Sequence, residues 1–256
     1  MLVIRKEQTD VFEEYALQNF EDEMVVHIKD FSPTLCKVIG DDQVRVAVGK
    51  AINRSGNYEF TCRGPIRLFV EMTLLFGHAF DTDSQYPWAP EILHASSDQM
   101  VRADQLYDRI LVYQERVLDP DPKDMRTALE GLSDWTGKLE ASSPTEFVAA
   151  MLREKARISP KKTAYVGEEG LTDLILEGCA EAGKHWAATV HGQALLGMLM
   201  FTFGHAFIDD PLYPWAGKLL ENKLLSDPLG RTMALEKEAC AFLERMTAAS
   251  QEGKQP

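Results

Sequence analysis

The chain has 256 residues, 45% of them hydrophobic, and carries a net charge of −13 with a pI near 4.9. That supplies enough apolar material for a core, while the acidity repels nucleic acid and anionic membrane and draws in basic partners. The richest apolar stretch, residues 194–203, falls well short of the ~20 residues that span a bilayer, so no membrane partner is expected.

The opening Met1-Leu2-Val3-Ile4-Arg5-Lys6-Glu7 puts its charges after a short apolar run, the reverse of a secretory signal, and a cytoplasmic protein is expected. Residues 6–30 contain no Gly or Pro. Phe12, Tyr15, Leu17, Phe20, Met24 and Ile28 mark one face at helical spacing. Pro33 ends that helix. Asp41-Asp42 is read as an N-terminal cap for a helix through about Ser55. Pro65 opens an apolar helix over 66–76, and Gly77 stops it. Pro87 opens a short helix over 88–94, and Ser96 or Asp98 caps a long one to Leu118. Asp119-Pro120-Asp121-Pro122 is the clearest break in the chain. Residues 125–141 read as a linking helix outside either half's core. Helices follow over 144–158, 171–186, 192–203, 214–225 and 227–250. The expected fold is all-α: 1–122 as one helical subdomain, 123–143 as the link, 144–250 as a second subdomain, and 251–256 as a disordered tail.

The second half repeats the first. Phe76-Gly77-His78-Ala79-Phe80 meets Phe203-Gly204-His205-Ala206-Phe207 at an offset of 127 positions (203 − 76). Tyr86-Pro87-Trp88-Ala89 meets Tyr213-Pro214-Trp215-Ala216 at the same offset. So do Asp83 and Asp210, Gly40 and Gly167, and Phe20 and Phe147, with no gap between Phe20 and Leu93. One offset held over such a length points to a tandem duplication of a whole domain, because solenoid repeats run at ~20–50 residues.

The tempting chemistry is a metal site. His78, Asp81 and Asp83, with their mirror His205, Asp209 and Asp210, offer one imidazole and two carboxylates within a few residues. The competing reading is architectural. Carboxylates after a helix-ending glycine and before a proline-started helix are capping groups, and a His next to that glycine can bond the last carbonyls. Helical metal sites favour Glu-x-x-His pairs on facing helices, which this chain lacks, so the capping reading is preferred and no cofactor is expected. On that reading Gly77, Phe80, Asp83, Pro87 and Trp88, with Gly204, Phe207, Asp210, Pro214 and Trp215, form a repeated structural motif in which each Trp plugs its own bundle.

Cys36, Cys62, Cys179 and Cys240 show no close pairing and are expected reduced. Cys179 near His185, Trp186 and His191 suggests a Cys-His nucleophile, but its apolar neighbours favour a small core residue. His27 and His94 have no visible partner. No phosphate loop, Gly-x-Ser-x-Gly, His-Glu-x-x-His or Cys-x-x-Cys is present. Glu21, Asp22, Glu23, Asp41, Asp42, Glu168 and Glu169 are solvated helix faces or a docking surface for a basic partner.

The opening Met1-Leu2-Val3-Ile4-Arg5-Lys6-Glu7-Gln8, the stretch Phe20-Glu21-Asp22-Glu23-Met24-Val25-Val26-His27, and the Phe76–Asp83 and Tyr86–Ala89 motifs resemble a group of bacterial proteins encoded beside type VI secretion effectors. The likeness covers the N-terminal part best and the second half more loosely. It implies an immunity or accessory protein: a helical, non-catalytic chain that binds and silences a cognate toxin, including nuclease toxins, in the producing cell. It also implies that the His of the Gly-His-Ala-Phe block is variable, and it supplies no binding motif. The expected partner is therefore a toxin, with the chain a monomer or weak oligomer. An effector chaperone or adaptor is the alternative, and a helical enzyme with the His/Asp metal site is the third reading.

Overall fold

The computed structural model describes residues 6–117, 122–139 and 143–252, with side chains from residue 15 onward and from residue 123 in the second stretch. The described residues are all-helical. In chain order the helices are α1 (Lys6–Phe31), α2 (Pro33–Ile39), α3 (Asp41–Ser55), α4 (Arg63–Phe76), α5 (Trp88–Leu93), α6 (Gln99–Arg116), α7 (Pro122–Glu130), α8 (Leu132–Gly137), α9 (Pro144–Ile158), α10 (Pro160–His185), α11 (Val190–Phe203), α12 (Pro214–Glu221) and α13 (Pro228–Glu252). Short 3-10 turns lie at Gly56–Tyr58 and Phe80–Thr82. Among the described residues no helix is long and apolar enough to cross a membrane.

Several boundaries differ from the sequence reading, each for a local reason. Pro33 does not merely end α1. It starts α2, because proline's fixed φ suits a first helical turn. Asp41 and Asp42 sit inside the first turn of α3, where they face the positive end of the helix dipole. Gly40 holds the N-cap position, and no side chain caps that end. The helix expected over 171–186 is the latter part of α10, which begins at Pro160 and kinks at Gly167. Gly40 (φ 86°, ψ 160°) and Gly167 (φ 82°, ψ 168°) adopt the same left-handed backbone at matching positions.

Two larger corrections concern the link and the tail. Gly131 divides the link into α7 and α8 rather than one helix. Its apolar face is not outside the cores: Met125, Leu129 and Leu132 are buried with the second half's core. Burying that face removes it from water at about 25 cal/mol per Å², which no free-standing link could achieve. Gln251 and Glu252, expected in the tail, complete α13, and Lys37 of α2 pairs with Glu252. The rest of the expected tail and the break at residues 118–121 lie outside the described residues.

The cores are organised differently in the two halves. In the first half, Phe20, Met24, Ile28, Val44 and Val48 form one cluster among α1, α2 and α3. An aromatic cluster forms around α4, α5 and α6 from Phe69, Phe76, Phe80, Tyr86, Trp88 and Tyr113. The second half has one continuous cluster running from α9 to α13. The segment after the first proline-started break in each half, α2 in the first and the start of α10 in the second, packs onto the other half. Leu35 of α2 joins the second half's core, and Tyr165 of α10 stacks edge-on against Tyr113 of α6 at 5.2 Å.

Candidate functional site

The repeated Gly-His-Ala-Phe blocks meet each other. Gly77 (φ 95°, ψ 155°) and Gly204 (φ 93°, ψ 154°) end α4 and α11 in a conformation open only to glycine. Their backbones touch: a Cβ on Gly77 would lie 2.9 Å from the Phe203 carbonyl oxygen, and a Cβ on Gly204 would lie 2.9 Å from that of Phe76. Two requirements, left-handed φ and closest approach, fall on the same residue in each half.

The aspartates then tie the halves crosswise. The His78 amide donates to Asp210 Oδ2 at 2.9 Å, and the His205 amide donates to Asp83 Oδ2 at 2.9 Å. Each carboxylate also accepts a local turn bond, from the Gln85 amide to Asp83 Oδ1 at 2.9 Å and from the Leu212 amide to Asp210 Oδ1 at 2.8 Å. Both are 2% exposed. Further out, Gln43 Nε2 donates to the Pro211 carbonyl at 2.6 Å, and Ser84 Oγ donates to that of Gly170 at 3.0 Å. These join the same two repeat positions, 43 with 211 and 84 with 170, but both donors lie in the first half. Asp83 and Asp210 do not cap the helices that follow, since neither α5 nor α12 has a side-chain cap; they hold the turn before each helix and an amide of the other half. The junction itself has no room for a water molecule, so no cleft opens between the halves there.

Phe76 and Trp88 meet at 5.8 Å and 76°, and Phe203 and Trp215 at 5.9 Å and 76°. Pro87 and Pro214 start the short helices that carry the two Trp side chains, and Phe80 and Phe207 are fully buried in the same clusters. This is edge-to-face packing within each bundle rather than a stacking platform.

The metal triad does not assemble. Asp81 is held by Arg54, whose Nε lies 2.9 Å from both carboxylate oxygens and whose Nη2 lies 2.8 Å from Oδ1; Tyr58 donates its hydroxyl to the same group. Burial and the hydrogen bond to Asp81 push the Tyr58 hydroxyl far above the ordinary tyrosine range. His78 Nδ1 is 3.4 Å from Asp210, across the junction rather than beside Asp81. His205 reaches Glu177 Oε1 at 2.9 Å through Nδ1 and the Ala79 carbonyl at 3.2 Å through Nε2, so it contacts the turn after α4 in the other half rather than the last carbonyls of its own helix. Burial disfavours charge on this ring. The Glu177 hydrogen bond and the nearby Asp83 and Glu177 charges outweigh that penalty and hold His205 above the usual imidazole value. Burial in turn raises Asp83, against the Gln85 and His205 contacts that favour its anion. Among the described residues no three of His, Cys, Asp and Glu come together to hold a metal ion.

The other candidates separate. Burial raises the Cys179 thiol, while His191 turns to Glu236 at 3.0 Å and Thr136 at 3.3 Å. His27, expected to lack a partner, meets Glu71 at 2.6 Å, and His94 packs edge-on to Tyr58 at 5.2 Å. Of the acidic residues, Asp22 pairs with Arg45 at 2.6 Å, Glu21 lies 3.8 Å from Arg45, Glu23 pairs with Arg63, and Asp41 pairs with Lys29 at 2.6 Å. Asp42, Glu168 and Glu169 are exposed beside the Gly40 and Gly167 kinks.

Two features escaped the sequence reading. Lys155 and Lys162 are buried in the second half, donating to the Gly197 and Phe201 carbonyls at 2.5 Å each, with both ammonium groups over the Phe201 ring. Burial, reinforced by the Lys162 charge, holds Lys155 well below the usual lysine value. Glu177, Glu181, His185, His205 and Asp209 rim a cavity of ≈ 260 Å³ in the same half. Both were visible as departures from the repeat, since Lys155 and Lys162 stand where the first half has Ile28 and Leu35, and Glu181 stands where it has Arg54.

No protein-family model, curated protein or solved structure matches the chain.

Proposed function

We propose that the chain is a non-catalytic binding protein that neutralises a basic, nuclease-class toxin of the type VI secretion kind in the cytoplasm of the producing bacterium. Its two helical subdomains are read as products of tandem duplication. The observation that carries this is the division of labour among the charged residues. Asp83 and Asp210, the acids of the repeated motif, hold the two halves together. The net charge of −13 remains largely at the surface, with Asp42, Glu168 and Glu169 free to face a partner. A field of that sign steers a cationic protein and occupies the ground a nucleic-acid phosphate would take. The resemblance of the N-terminal segment to proteins encoded beside type VI effectors supports the same partner class.

Co-expression with the catalytic domain of the toxin encoded next to the gene tests the reading, and restored growth is the expected result. Failure to protect, together with binding only to the toxin's loading region, would replace immunity with the chaperone role. Association should also slow markedly between ~50 and ~200 mM salt, as for steered complexes.

A further inference from the structure

The halves diverge in charge at the position of Arg54. In the first half its guanidinium lies bidentate on buried Asp81, and Tyr58 donates to the same carboxylate, so the space between α3 and the Phe80–Thr82 turn is filled from within. The equivalent positions of the second half carry Glu181, Ile208 and His185. The cation is gone, an acid stands in its place, and the buried anion has become an apolar side chain. What remains is the ≈ 260 Å³ cavity, with Glu177, Glu181, His185, His205 and Asp209 around its mouth and Ile208 in its lining.

We propose that this cavity receives the guanidinium group of an arginine from a partner protein, supplying from outside what Arg54 supplies in the first half. Acidic residues alone would define no site. The independent observation is that the equivalent space, built by the same scaffold, already holds a guanidinium. The lining also suits that group over an ammonium: carboxylates at the rim meet its edge, and the apolar Met200, Ile208 and Leu220 meet its weakly hydrated faces. The cation now nearest is Lys184, 2.9 Å from Glu181 with its side chain 62% exposed. An exposed pair of that kind contributes little and is readily exchanged. The charged and titratable groups lining the site are Glu177, Glu181 and His185 from α10 and His205 and Asp209 from the loop after α11; Lys184 pairs with Glu181, and Asp83 accepts from the His205 amide at the junction. A protonated His205 competes with an incoming cation, so binding should tighten as pH rises from 6 to 8.

The inference relies on the toxin reading only for the identity of the partner. Nα-acetyl-arginine methylamide is the probe, titrated into the full chain while the ring signals of His185 and His205 are followed by NMR. Both signals should shift and saturate, with the citrulline analogue inert and the lysine analogue several-fold weaker. The double variant Glu181→Arg/Ile208→Asp rebuilds the first half's pair and should weaken the response about tenfold or more by filling the site from within. Should that variant fail to fold, Glu181→Gln with Asp209→Asn tests the same contacts and should lose most of the response. Ring shifts that are absent, equal for citrulline, or unchanged in the variants would overturn the proposal. Arginine binding without toxin neutralisation would leave the cavity standing and remove the toxin reading. Neutralisation without an arginine response would do the reverse.

Discussion

Apart from the matching junction aspartates, the first half buries Asp81 and Arg102, whereas the second buries Lys155 and Lys162. Asp81 is neutralised by Arg54, a side chain of its own half, whereas Lys155 and Lys162 rest on helix carbonyls and the face of Phe201. At the junction the halves instead agree in backbone dihedrals, distances and hydrogen-bond direction. The lesson is that the scaffold is shared where backbone meets backbone and free to differ one layer away. In that layer Arg54 of the first half gives way to Glu181 in the second.

The largest test of this comparison is at the shared point. Gly77→Ala and Gly204→Ala each force a side chain into a left-handed φ and against a carbonyl at 2.9 Å. Each should cost on the order of 3 kcal/mol in chemical denaturation, and the two costs should match. A mild effect at one site alone would break the equivalence of the halves. Next come Asp83→Ala and Asp210→Ala. Each strands buried amides on both sides of the junction, and a loss of about 2 kcal/mol is expected from either.

Lys155→Met probes a difference rather than a likeness. It places an apolar side chain where the first half has Ile28, and stability at pH 7 should rise by about 1 kcal/mol or more, because a desolvated ammonium is removed. The pH dependence supports the same point. Lys155 is held below its ordinary 10.5, so the unfolded chain binds the extra proton; the wild type should gain stability as pH rises toward that value, and the variant should lose that gain. A drop in stability at pH 7 would mean that the Gly197 bond and the Phe201 contact outweigh desolvation.

The smallest effect concerns His205. Its value is raised in the fold, so its contribution to stability is fully present below the ordinary 6.5 and lost as pH rises through the folded value. His205→Gln should flatten the stability profile across that window. A profile identical to that of the wild type would show that the Glu177 contact contributes nothing to the junction.

Much of this fold could be read before the structure. Helix-ending Gly77, helix-starting Pro87 and Pro144, and the Asp98 cap act through local backbone geometry, and a local rule suffices to place them. The repeat at one offset singled out Gly77, Gly204, Asp83 and Asp210, which meet at the junction. What escaped was non-local. Nothing near residue 125 signals that Met125 and Leu129 join the second half's core, because their burial depends on α13 and α9, more than a hundred residues and about twenty residues away, respectively, in the sequence. The exchange of α2 and the start of α10 between halves is hidden for the same reason.

The sequence by itself determined that this protein is helical, where several of its helices start and stop, and which residues recur in both halves. Those properties follow from periodicity, proline and glycine stereochemistry, and identity along the chain. Only the tertiary structure decided that Asp83 and Asp210 bond across the junction, that the space between the Gly-His-Ala-Phe blocks is closed, and that an open acidic cavity lies where the first half holds Arg54. Each of those depends on which backbone approaches which, and that is set by packing between segments 127 positions apart.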